Sequence, residues 1–144
     1  MVGFKVLSDV KDGECLKLPI SAQTLSAGDL IDLSVGATTW AACTAASLHY
    51  TRKAICMEAA TSADTEVLAY IVTGNELVEA QTANTVAAAN NGDRMILIDK
   101  NTVSDTDSDA TVKEVCFLQM KPGSTTTSAI GYILVGSGVA PSAA

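Results

Sequence analysis

The 144-residue chain carries 16 acidic and 9 basic side chains, for a net charge of −7 and a pI near 4.4. Its lysines and arginines are scattered singly except for Arg52-Lys53, so no basic stripe is available to neutralise phosphates and nucleic acid is not an expected partner. The length fits one ordinary domain, and with six aromatics against 22 alanines and 16 threonines the core must be built from small and β-branched side chains.

Strand signals begin at the N-terminus, where Val2, Phe4 and Val6 alternate with polar neighbours. The same period of two returns at Leu16, Leu18 and Ile20, and again at Ile31, Leu33 and Val35 against Asp32 and Ser34, which this pattern turns to the opposite face. Thr39 to Leu48 fits either a short helix or an irregular strand. Glu66 to Thr73, Arg94 to Ile98 and Ala129 to Val135 are short apolar runs bounded by Gly, Asn, Asp or Ser, the form of strands covered on both faces. Between Thr85–Ala89 and Arg94–Ile98, Asn91-Gly92 suits a type I′ hairpin turn, or the end of a short Ala-rich helix with Gly92 just past it.

A weak repeat with an offset near 61 sets residues 13–73 against 74–136. Gly13 and Leu16 match Gly74 and Leu77, Ala22-Gln23-Thr24-Leu25 matches Ala83-Asn84-Thr85-Val86, and Gly28-Asp29 matches Gly92-Asp93. Val67 to Gly74 matches Ala129 to Gly136, and Cys56 and Cys116 fall at nearly equivalent places. In each unit the Gly-Asp pair is expected to make a tight turn into a strand, with the Asp side chain bonding nearby N–H groups. The predicted fold is mainly β: a small barrel or sandwich over residues 13–136, closed by two similar units about a pseudo-twofold axis. An N-terminal arm (1–12) and a C-terminal tail (137–144) flank it.

No apolar run reaches the ~18–20 residues of a membrane-spanning helix, and Met1 to Glu14 carries charges where a signal peptide would be apolar. The expectation is synthesis in the cytoplasm, with no membrane partner. Cys15, Cys43, Cys56 and Cys116 are far apart, form no C-x-x-C pair and have one histidine to join them, so they read as buried thiols, not as zinc ligands.

Asp105, Asp107 and Asp109 alternate like the opening of a calcium loop, but Ala110 stands where that loop needs Gly and Cys116 where it needs Glu, so a solvated acidic loop is the expectation. His49 has no G-x-S-x-G elbow to serve, and Gly136-Ser137-Gly138 meets Pro141 where a dinucleotide fingerprint needs its third glycine. Tyr70 and Tyr132 lie in matching apolar strands and read as core, while Trp40 with the Asp-rich loop leaves a carbohydrate- or calcium-binding module as an alternative. The chain reads as non-enzymatic, with no cofactor.

Ala27-Gly28-Asp29-Leu30-Ile31-Asp32-Leu33, then Ala54-Ile55-Cys56-Met57-Glu58-Ala59-Ala60 and Leu68-Ala69-Tyr70-Ile71-Val72, following an extended N-terminal arm, resemble the small β-barrel decoration (cement) proteins of tailed-bacteriophage heads. The resemblance covers most of residues 13–136 at the level of pattern; the four cysteines and Thr39 to Ala46 have no counterpart in it. It implies a virion protein on the outer capsid surface, partnered by the major capsid protein and by its own copies, often as trimers. Another virion subunit, of shell, tail or fibre, is the nearest alternative. The residues expected to meet the partner are Val2, Phe4 and Val6 of the arm, adding to a neighbouring sheet edge, and Val139 and Pro141 of the tail.

Overall fold

A computed structural model describes residues 3–8, 13–105 and 115–136. It is mainly β, as the alternation predicts, with eleven strands in two sheets among these residues. The strands are β1 (Phe4–Val6), β2 (Cys15–Pro19), β3 (Leu30–Leu33), β4 (Ala41–Ala42), β5 (Arg52–Cys56), β6 (Glu66–Ile71), β7 (Val78–Thr82), β8 (Arg94–Leu97), β9 (Thr102–Ser104), β10 (Val115–Pro122) and β11 (Ser128–Ile133).

One sheet runs β7-β11-β10-β8-β9 and closes on itself, because β9 pairs in parallel with β7; β1 joins the same β7 as an extra strand. The other runs β2-β6-β5-β3-β4, and its ends meet at the parallel bridge between Ile20 and Trp40. Both units therefore follow one path, and their ladders superimpose when the chain is slid by 62 to 64 positions. The closing bridge Ile20–Trp40 falls on Thr82–Val103, and the rung Leu30–Ile55 falls on Arg94–Leu118.

The hydrogen bonds repeat too. Gly28 N–H donates to Cys56 O and Cys56 N–H to Asp29 O, as Gly92 N–H donates to Gln119 O and Gln119 N–H to Asp93 O. Both glycines sit at φ near +90°, where a side chain would be strained, and each stands two places after the residue whose carbonyl closes the turn: Asp29 N–H donates to Ser26 O and Asp93 N–H to Asn90 O. Asp29 Oδ2 accepts from the Ser26 amide, as expected of the Gly-Asp turn. Gln23 Oε1 caps the Ala42 amide and Asn84 Oδ1 the Asp105 amide.

Several expectations change. The two units do not close one barrel between them; each rolls up its own sheet, because the residues that complete each ladder lie within the same unit. Asn91 has φ −62° and follows a 3-10 turn over Ala88–Asn90, so the turn is type II and the short-helix alternative holds, not a type I′ hairpin. Thr39 to Leu48 is irregular, holding the Trp40 bridge and the two-residue β4. Cys56 corresponds to Gln119, not to Cys116, because the alignment by side-chain likeness slips three places on β10. Gly13 and Leu16 are likewise one place out: the ladders set Cys15 on Leu77 and Leu16 on Val78.

The first barrel encloses Leu18, Ile20, Leu25, Ile31, Trp40, Ala54, Cys56, Ala60, Val67 and Ala69. A second, larger core holds Val78, Ala80, Val86, Met95, Leu97, Val103, Phe117 and Ala129 of the second barrel, and continues through Leu30, Ile55, Tyr70 and Val72 on the outer face of the first. Side-chain volumes exchange between corresponding positions: Trp40 against Val103, Leu18 against Ala80, Ala54 against Phe117. Close packing requires such compensation when one backbone path is filled twice with different residues.

Candidate interaction surface

The buried charges are used inside the chain. Glu79 Oε2 accepts from the Ser124 amide, the Ser124 hydroxyl and the Ser128 hydroxyl, at 2.9, 2.6 and 2.8 Å, fixing the turn between β10 and β11. Burial pushes its carboxyl up, but these bonds and the cross-strand Lys5 outweigh that and hold it below its ordinary value. Glu76 is treated the same way in the segment joining the barrels. Burial raises it, and donation from the Tyr70 hydroxyl and from Thr73 leaves it lowered. Asp29 pairs with Lys100 at 3.4 Å across the two units.

Lys53, fully buried, donates to Leu48 O at 2.5 Å, to Thr51 Oγ1 at 3.1 Å and to Leu134 O at 3.1 Å, the last tying the first barrel to the second. Of the cysteines, Cys43, Cys56 and Cys116 are buried and Cys15 is exposed; none is in a disulfide. Burial pushes the Cys56 thiol up to about 12 and the Cys43 thiol well above its usual range, so neither is a nucleophile at neutral pH. Among the described residues, no three His, Cys, Asp or Glu side chains gather as a metal ion would require.

A different feature stands out when the two barrels are compared rung by rung. Leu30, Ile55 and Tyr70 lie side by side across β3, β5 and β6, and all are buried, at most 5 % exposed, under the second barrel. The corresponding rung of the second barrel is Arg94, Leu118 and Tyr132, side by side across β8, β10 and β11. There Arg94 is exposed and Leu118 and Tyr132 are only half-buried, with half-buried Ile130 on the same face of β11, half-buried Leu134 just past its end and Met120 47 % exposed on β10. The face that the first barrel covers with its twin is thus open on the twin itself. Arg, Tyr and Met on the outer face of the barrel are residue types enriched in protein-binding patches.

The expected site residues are distributed differently. Phe4 is buried in the larger core, and β1, with Phe4, Lys5 and Val6, pairs with β7 of its own chain. The arm's ladder is thereby occupied at home, so Phe4 and Val6 are corrected from partner contacts to parts of the fold, and removing residues 1–7 strips a core side chain instead of leaving the domain intact. Val2, Val139, Pro141, Asp107 and Asp109 lie outside the described residues. Asp105 accepts from the Asn84 and Asn90 side-chain amides, at 2.5 and 3.1 Å, which is a structural role. Trp40 is buried in the first barrel and offers no platform to a sugar. Asp32 lies on the face opposite Ile31, as read, but that face is covered and Asp32 is buried; Val35, read as inward, is 69 % exposed, because the strand ends at Leu33 and its alternation stops there. His49 packs edge-on against the Tyr50 ring.

Comparison with family models, with curated proteins and with solved structures finds no match to this chain. Sequence reasoning missed Arg94, Leu118 and the outward placing of Tyr132. The signal was there: with the Gly-Asp turns aligned, an arginine falls opposite the leucine of Leu30, and a charge at a position its twin buries marks a face left open.

Proposed function

We propose that this chain is a non-catalytic structural subunit of a virus particle, one that docks on the outer surface of a tailed-phage capsid and bridges its subunits. The observation that carries the reading is the open rung Arg94–Leu118–Tyr132, an apolar and arginine-bearing sheet face whose counterpart in the same molecule is covered by a protein surface. The internal use of Lys53, Glu76 and Glu79 supports it, since these buried groups hold turns and join barrels. The resemblance of the Gly-Asp turn, middle strand and Tyr-bearing strand to head decoration proteins supplies the capsid as the partner.

The contact area then adds to the cohesion of the shell, the free energy of each docked subunit opposing the separation of the capsid proteins beneath it. The test is sedimentation of the purified protein with undecorated heads. Saturable binding that Tyr132→Ala and Leu118→Asp both reduce is the expected result; wild-type protein that stays in the supernatant at every concentration overturns the reading.

A further inference from the structure

Asp32 and Lys53 face each other across β3 and β5 at the place where β8 and β10 of the second barrel set Ile96 against Val115. The shared path is therefore built equally well with an apolar pair. Buried charges exchanged for apolar residues of similar size are often neutral or stabilising, so folding does not explain why this pair is charged.

Lys53 has an internal use, in the carbonyls of Leu48 and Leu134. Asp32 faces it and answers its charge, but not as a close ion pair. Asp32 Oδ2 accepts from Thr51 Oγ1 at 3.2 Å, Ser47 and its own amide also donate to the carboxylate, and among the described residues no lysine or arginine nitrogen stands within 4 Å of it. More than nine-tenths buried, it lies in the wall of a cleft of about 410 Å³. Ala41, Ala42 and Leu48 give that cleft apolar sides, Ser47 and Thr51 line it beside the carboxylate, and Val35 stands exposed at its rim.

We infer that this cleft receives the lysine side chain of a partner protein, its ammonium on the Asp32 carboxylate and its methylenes against the alanine and leucine walls. A carboxylate in the wall of a cleft that also has alanine and leucine sides matches a side chain whose stem is apolar and whose tip is charged. A lysine ammonium, a point charge with rotatable N–H donors, can use whichever lone pairs Thr51 leaves open, whereas a guanidinium fork needs both oxygens presented in one plane. Burial holds the Asp32 carboxyl above the usual range even with Lys53 opposite, the condition in which an arriving cation gains most. The capsid reading enters only in naming a protein as the source of the amine; the preference for an ammonium is tested without one.

The experiment is a titration of the whole purified chain with n-butylammonium chloride, followed through the backbone amide signals of Thr44, Ser47 and Thr51. Saturable shifts confined to these and neighbouring residues are expected, with binding weakened about tenfold or more in Asp32→Asn. Tetramethylammonium, charged but without an N–H to donate, should bind far more weakly. Ala46→Phe, which fills the cleft and leaves Asp32 in place, should also abolish the shifts, and keeps the test available if Asp32→Asn does not fold. Shifts that never saturate, equal binding of the two cations, or full binding by either variant overturns the inference.

Discussion

The two barrels follow one path through different environments. Where the first sets Asp32 against Lys53, the second sets Ile96 against Val115; where the first buries Leu30, Ile55 and Tyr70, the second presents Arg94, Leu118 and Tyr132. What they share is the set of devices that define the path: the Gly-Asp turns, the amide caps from Gln23 and Asn84, and the parallel bridge that joins first strand to last. What differs lies on their surfaces and in how volume is divided between facing side chains. Backbone devices fix the route of the chain, and the side chains between them are free to serve packing in one copy and display in the other.

The sharpest way to break this comparison is at Lys53. Lys53→Met leaves the carbonyls of Leu48 and Leu134 without their donor and Asp32 without its nearest cation, and should cost about 3–5 kcal/mol in urea unfolding. Val115 occupies the matching place on β10, opposite Ile96, and Val115→Ala should cost less. Equal losses would mean that the charged pair does nothing the apolar pair does not.

The exchange of volumes can be tested in both directions. Phe117→Ala should cost about 3–5 kcal/mol by opening a cavity in the second barrel. Ala54→Phe, which writes the second barrel's residue into the first, should cost about 1–3 kcal/mol by overpacking against Trp40. An Ala54→Phe chain as stable as the wild type would show that the first barrel has room the structure does not give it.

A smaller effect concerns Glu79, which has no acidic counterpart on β2. Its carboxyl is held below the ordinary value in the fold, so the unfolded chain binds its proton more readily, and the stability it contributes is present above its unfolded pKa and lost as pH falls through the lower folded value. Glu76 acts in the same direction. Glu79→Gln should cost about 1–3 kcal/mol at neutral pH and flatten the acid limb of the stability curve below about pH 4.5. An unchanged acid limb would place the carboxylate outside the turn's energetics.

Much of the fold was legible in the sequence because its devices are local. Positive φ at Gly28 and Gly92 needs glycine, and Leu16, Leu18 and Ile20 alternate as their strand does. The repeat was visible for the same reason, although its register slipped at Cys116, where β10 bulges against β8 and shifts one residue relative to its partner. The candidate surface was harder to see. Tyr70 and Tyr132 are the same residue in matching strands, and only the position of the second barrel over the first decides that one is covered and the other open. Burial of Phe4 in its own chain was hidden similarly, since an alternating strand reads alike whether its partner strand is its own or a neighbour's.

The account stands most directly on the difference between two corresponding residues, Ile55 and Leu118. Thermal unfolding of Ile55→Asp and Leu118→Asp measures it: the first buries a charge between the barrels and should not fold, or should melt far below the wild type, while the second should fold and melt close to it. Leu118→Asp that unfolds as readily as Ile55→Asp would mean that the second barrel's face is closed within the chain and is no place for a partner.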